Sequence, residues 1–198
     1  MVELRWTTPA AWTEAVRRDL TSFLQDHAAN ERKVATSALG LAVDQYQDHD
    51  LVAALTAVAR EELSHFERVV RLLHDRGASL APDASSPYVG ALRRTVRSPD
   101  VRRYLLDRLL VFGLIEARAY ERFGLLARSL RAAADSADER ALGRFYSELE
   151  AAEARHHGLY LELADGRFEP DRVAARLDEL LDLEARTAAA QPLRASLF

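Results

Sequence analysis

Hydrophobic and small residues recur along this chain at three- and four-residue steps, the period of an amphipathic helix. Four long stretches carry the pattern. The first is predicted over about 19–47, with Leu24, Ala28, Ala35, Ala38 and Ala42 on one face. The second starts near His49, capped by Asp48, and stops at Gly77, with Leu55, Val58, Glu62, His65, Val69 and Leu72 facing inward. The third opens on Ser98-Pro99-Asp100, read as a cap followed by proline at the first helical position, and runs to about Arg131. Its stripe is Leu105, Leu109, Phe112, Glu116 and Phe123. The fourth begins at Ser136 or Asp138 and ends near Gly166, with Leu142, Phe145, Leu149, Glu153, His156, Tyr160 and Leu163 along one side. A fifth amphipathic stretch, from Pro170 to about Ala188, reads as packing. No strand-like alternation is present.

Short links favour antiparallel neighbours. The exception is the connection over 78–97, which holds two prolines and a basic cluster; a link of that length in a bundle is a crossover or a functional segment. The expected architecture is all-α, a four-helix bundle with extra terminal helices, forming one domain over 1–198. The chain has 198 residues, 48% apolar and 29% charged, which suits one sizeable core. No window reaches the roughly 18 uninterrupted apolar residues of a membrane span. Residues 1–12 lack the apolar run of a signal peptide, so a cytoplasmic location is expected.

Two exclusions sharpen the chemistry. Cysteine is absent, which removes disulfides, thiolate zinc sites and iron–sulfur clusters. The net charge of −4 argues against a nucleic-acid partner held by overall charge, so any such surface must be local. One local candidate exists: Arg93, Arg94, Arg97, Arg102 and Arg103. These residues are either a solvated face balanced by Asp100 and Asp107, or a patch for phosphate.

The inward stripes carry polar residues that a core does not tolerate alone. Glu62 and His65 lie three apart on one helix, and so do Glu153 and His156, so each pair points the same way. Glu31 and Glu116 sit on the stripes of the preceding helices. The chain thus has a hidden two-fold pattern, a lone glutamate followed one helix later by a Glu-x-x-His pair. Four carboxylates and two imidazoles in a dry core need compensating charge, and two divalent cations supply it. This is the ligand set of ferritin-like carboxylate proteins, and it suits iron or manganese more than zinc. A single Glu-x-x-His match is common by chance; the joint placement on four buried stripes is not.

Other residues are read more plainly. His27, one turn before Glu31, is a partly exposed polar residue or a support for Glu31. His49 and His74 belong to helix ends. His157 points about 100° away from His156 and is not a ligand. Glu121 and Glu150 either hydrogen-bond a ligand histidine or form solvent salt bridges. Tyr120 and Tyr160 read as core packing, with a redox role as the alternative.

The segments Asp26-His-Ala-Ala-Asn-Glu-Arg-Lys, Ala59-Arg-Glu-Glu-Leu-Ser-His-Phe-Glu, Gly113-Leu-Ile-Glu-Ala-Arg with Glu121-Arg-Phe, and Glu153-Ala-Arg-His resemble the tRNA 2-methylthio-N6-isopentenyladenosine hydroxylases. The resemblance spans roughly Trp12 to Leu163, and the family's ligands map onto Glu31, Glu62, His65, Glu116, Glu153 and His156. It implies a non-haem di-iron monooxygenase. Such an enzyme uses dioxygen and electrons from an external reductase to hydroxylate the isopentenyl group of a hypermodified adenosine beside the anticodon. tRNA and the reductase are then partners, and a monomer or small homo-oligomer is expected. The chain departs from the family at Ala119-Tyr120, where Ser-Cys is usual. A ferritin-like ferroxidase, and a di-iron oxidase of a small molecule, are the alternative functions.

Overall fold

The computed structural model describes residues 2–96, 99–132 and 136–198. Among them the regular structure is entirely helical: α1 Ala11–Arg18, α2 Leu20–Asp44, α3 His49–His74, α4 Pro87–Arg94, α5 Val101–Ala132, α6 Ala137–Asp165 and α7 Pro170–Ala189. No helix among the described residues is long and apolar enough to cross a membrane.

The chain packs as two units, one of Glu14–Ala84 with Arg194–Leu197, the other of Met1–Thr13, Ser85–Leu193 and Phe198. In the first, α2 and α3 form a hairpin joined by a four-residue link. Asp19 caps α2 through its side chain on Ser22 N–H, and Asp48 caps α3 on Leu51 N–H; each satisfies an amide left open by the first turn. The end of α3 is set by Gly77, at φ 69°. Its N–H donates to His74 O while Ala78 N–H donates to Leu73 O, the paired bonds that close a helix through a left-handed residue. Leu24, Leu41, Leu51, Leu55 and Leu73 are fully buried here, and each such side chain contributes about 1.5–3 kcal/mol.

In the second unit α5 packs along α6, and α4 and α7 join them. Asp100 Oδ1 accepts from the amides of Arg102 and Arg103, so Asp100 is the cap of α5 and Pro99 lies before the helix rather than inside it. Ser98 and Arg97 fall outside the described residues. Ser136 caps α6, the first of the two expected starts. The middle of α5 is buried on nearly every side, from Leu109 to Ala119, which explains why its apolar residues outnumber one stripe. Two stripe positions shift by one residue: Leu72 and Leu105 are half-buried, while Leu73 and Leu106 are the buried ones.

Extra terminal helices were expected without a range for the first of them, which is α1; α4 was not expected. α1 buries Trp12 and Val16. α4 occupies the long connection, with Ser86 as its cap and Pro87 in its first turn, and its Tyr88 and Leu92 are buried.

Candidate metal centre

Each unit buries two glutamates and one histidine of the six expected ligands. In the first, Glu31 comes from α2 and Glu62 and His65 from α3. They are 4%, 1% and 5% exposed, and their ligand atoms lie within 4.8 Å of one another. His65 Nδ1 is 3.1 Å from Glu62 Oε2 and 3.6 Å from Glu31 Oε2. In the second, Glu116 comes from α5 and Glu153 and His156 from α6, equally buried and again with ligand atoms within 4.8 Å. His156 Nδ1 stands 3.7 Å from Glu153 Oε2. The three-residue spacing puts glutamate and histidine of each pair on one face, so the pattern read from the sequence is realised within each helix pair.

Electrostatics show what such a cluster wants. Burial alone would push the Glu31 carboxyl up, but its contacts with Glu62, His27 and His65 outweigh it and lower it to about 2. Burial would likewise lower His65, yet the Glu31 and Glu62 carboxylates raise it to about 10. Glu153 Oε2 is buried with no hydrogen-bond partner among the described residues, a costly state for an anionic oxygen unless a cation meets it. Oxygen and imidazole donors without thiolate suit iron or manganese. The residues present fit such ions.

The remaining histidines divide. His27 is fully buried, not partly exposed, and its Nε2 lies 2.6 Å from Glu31 Oε1. His49 and His74 are exposed at the ends of α3. His157 is buried but turned from the cluster: its Nδ1 donates to Gly113 O at 2.8 Å, and its Nε2 accepts from Val2 N–H at 3.0 Å. Glu150 pairs with Arg128, and Glu121 accepts from Thr8 and Arg118, so the hydrogen bonds found for both avoid the ligand histidines. Tyr160 is buried and packs against Phe112. Ala119 is buried and Tyr120 half-buried; nothing in the structure explains their departure from the family pattern.

The arginine run is only partly as expected. Arg93, Arg94, Arg102 and Arg103 are exposed. Arg102 donates to Arg167 O and lies over the Phe168 ring. Asp107 does not balance this face: it is fully buried and accepts from Arg176 Nε at 2.7 Å. Arg97 lies outside the described residues.

One buried network escaped the sequence reading. Arg118 donates through Nε and Nη2 to the two oxygens of Glu184, both at 2.9 Å, and Tyr88 donates to Glu184 Oε1 at 2.9 Å. Arg118 also reaches Glu121, Trp6 O and Thr8. Arg122 donates to Thr8 Oγ1 and stacks over Trp12. Burial and the neighbouring Arg118 lower Arg122 to about 10, while burial and Glu184 push the Tyr88 hydroxyl well up. This network ties the N-terminal segment to α4, α5 and α7. A signal was present: Glu184 interrupts the apolar positions Leu180, Leu181 and Ala188.

A family model described as tRNA-(MS[2]IO[6]A)-hydroxylase (MiaE) matches residues 2–193. A Pseudomonas putida protein named tRNA 2-(methylsulfanyl)-N(6)-isopentenyladenosine(37) hydroxylase is 44% identical over 158 residues, 79% of this chain and 72% of that one. A Salmonella typhimurium protein of the same name is 29% identical over 160 residues, 81% of this chain and 55% of its own length, so the chain spans about half of that relative. Among solved structures, protein 43 with aldehyde deformylating oxygenase activity from Synechococcus matches with a TM-score of 0.87 at 35% identity, covering 100% of this chain and 96% of that one. The all-α, ferritin-like class expected from the sequence therefore holds.

Proposed function

The chain belongs to the MiaE family of tRNA hydroxylases, and on that premise we propose that it hydroxylates the isopentenyl group of 2-methylthio-N6-isopentenyladenosine at tRNA position 37, beside the anticodon. The observation that carries the reading is the pair of buried Glu-x-x-His motifs, each with a buried partner glutamate, in a chain 44% identical to a protein of that name. Glu31, Glu62, His65, Glu116, Glu153 and His156 would hold two iron ions, each helix pair contributing two carboxylates and one imidazole. When bound, the irons supply the reduction of dioxygen, with two electrons from an external reductase, that puts one oxygen atom into a C–H bond and the other into water.

This chain's own residues do the rest. The four carboxylates offset the charge of the ions, and both histidines present Nδ1 to the glutamate of their own pair. Burial of all six keeps bulk water from the oxidising chemistry. Arg93, Arg94, Arg97, Arg102 and Arg103 hold phosphates of the tRNA backbone; guanidinium groups suit them because they bind phosphate through two parallel hydrogen bonds. A substrate on tRNA places the protein in the cytoplasm.

The likeness to a protein named for aldehyde deformylating oxygenase activity favours a second reading, in which the same residues act on a small aldehyde. Deleting the gene separates the two. The tRNA reading predicts that tRNA from the deletion strain keeps the isopentenyl nucleoside without its hydroxyl, and that the wild-type gene restores it. Hydroxylated nucleoside persisting in the deletion strain would remove the tRNA reading.

A further inference from the structure

One side of α5 opens to solvent at the start of the helix and closes at the proposed ligand Glu116. A row of residues four apart on a helix drifts by about 40° per step. The row Tyr104, Arg108, Phe112 and Glu116 therefore winds from an edge of α5 onto its ligand face. Val101, one turn before Tyr104, is 68% exposed. Tyr104, Leu105 and Arg108 are half-buried, Phe112 is 8% exposed and Glu116 2%. A solvated helix face carries polar residues, yet this open stretch presents Val101, Tyr104 and Leu105. Its flat groups are already held in place. Arg108 Nη1 donates to the Tyr104 hydroxyl at 2.9 Å, and the guanidinium lies over the Tyr104 ring at 5.6 Å and the Phe112 ring at 4.8 Å. Phe112 in turn packs on Tyr160, 5.2 Å between centroids. Charge here is one-sided. Arg102 and Arg103 are exposed in the first turn, and Arg102 is steadied by Arg167 O and the Phe168 ring. The acid over 101–112 is Asp107, fully buried and bonded to Arg176.

We infer that this open face of α5 receives the purine of tRNA nucleotide 37, with the base stacked on Tyr104 and Arg108 and its isopentenyl tail running along Phe112 toward Glu116. The inference rests on the tRNA reading proposed above and names the residues that would seat the base. Aromatic rings and guanidinium planes both stack on nucleobases, and an unpaired base in an RNA loop can be turned out to be held in this way. Arg102 and Arg103 stand beside the same turns to meet the flanking phosphates. The helix axis rises about 12 Å from Arg108 to Glu116, a span that a purine with an extended isopentenyl tail covers. Rings fixed before binding lose little freedom when the base arrives. A small aldehyde, the alternative substrate, has neither base nor phosphate to engage this face.

The test measures binding of the full-length, iron-loaded protein, without dioxygen or reductant, to anticodon stem-loop RNAs that differ only at nucleotide 37. One carries 2-methylthio-N6-isopentenyladenosine there and the other an abasic sugar; fluorescence anisotropy gives each dissociation constant. The wild type should bind the modified RNA on the order of 10- to 100-fold more tightly than the abasic one. Tyr104→Ala should collapse most of that ratio by weakening the modified RNA while leaving the abasic RNA as it was. Tyr104→Phe, which keeps the ring, should restore it. Each ratio is taken within one protein, so a general loss of fold or of positive charge, which weakens both RNAs alike, does not imitate the effect. A Tyr104→Ala protein that keeps the wild-type ratio overturns the inference, as does one that weakens both RNAs equally. So does a Tyr104→Phe protein as poor as Tyr104→Ala. A wild type that does not distinguish the modified RNA from the abasic one overturns the tRNA reading as well, whereas a wild type that does so with Tyr104 irrelevant overturns the stacking face alone.

Discussion

Glu184→Ala should be among the most destabilising single changes in this chain, although it lies far in sequence from every proposed ligand. Its carboxylate accepts three hydrogen bonds, from Arg118 Nε, Arg118 Nη2 and the Tyr88 hydroxyl. Arg118 and Glu184 are both fully buried. Truncation leaves a buried guanidinium without its main counter-charge and a buried hydroxyl without its acceptor. Arg122 adds a second buried cation to the same cluster, leaving Glu121, half-buried, as the carboxylate that remains. Removing one partner of a buried pair costs about 3–5 kcal/mol. For a chain of this size a kcal/mol lowers the melting temperature by about 2–4 °C, so a drop of roughly 6–20 °C is expected. Thermal and urea denaturation followed by far-UV circular dichroism measure it. Glu184→Gln, which keeps the shape and loses the charge, should fall between wild type and Ala. The double change Arg118→Met/Glu184→Leu should cost less than the sum of its single changes, because no charge is stranded. A Glu184→Ala protein within about 1 kcal/mol of wild type would refute the reasoning, since it would mean that Arg118 is satisfied without Glu184.

Three further outcomes follow from local geometry. Burial lowers the pKa of His157 from its usual 6.5, so the unfolded chain binds its proton more tightly; stability is fully present above about pH 6.5 and falls as the pH drops through the folded-state value. His157→Gln should flatten the melting temperature between pH 7 and pH 5 relative to wild type. Gly77→Ala places a Cβ in open space but at φ 69°, so it should cost about 1–2 kcal/mol from backbone strain alone, whereas Gly113→Ala meets Tyr160 Cβ at an ordinary 3.5 Å and should cost less in the same denaturation assay. Neutralising Arg93, Arg94 and Arg97 together should weaken tRNA binding and reduce the slope of log K against log salt by about 2–3, with metal content unchanged; an unaltered slope would show that these residues do not meet phosphate.

Much of this was legible before any coordinates. The six proposed ligands stood out because each interrupts an apolar stripe at helical spacing, a local signal that survives folding. The caps Asp48 and Ser136 and the stop at Gly77 were equally local. His27 was visible as a neighbour of Glu31, but its burial was not, because one polar residue on an edge of the stripe reads the same whether covered or exposed. Arg118 and Glu184 are 66 residues apart, and no periodicity links partners at that distance. Asp107 was misjudged for the same reason: its partner Arg176 lies on another helix, 69 residues on. The short helix α4 was hidden by length, since eight residues give too few turns for a stripe to show, although Ser86-Pro87 carried a helix start.

Oxygen tracing on the substrate itself tests the central claim most directly. The purified, iron-loaded protein is incubated with tRNA bearing 2-methylthio-N6-isopentenyladenosine, a reductase with its electron source, and 18O2, and the released nucleosides are weighed by mass spectrometry. The account predicts conversion to a nucleoside heavier by one 18O atom, and loss of that product when Glu62 or Glu153 is replaced by Ala. An unchanged nucleoside from protein that holds two irons, or a hydroxyl carrying oxygen from water, would contradict it.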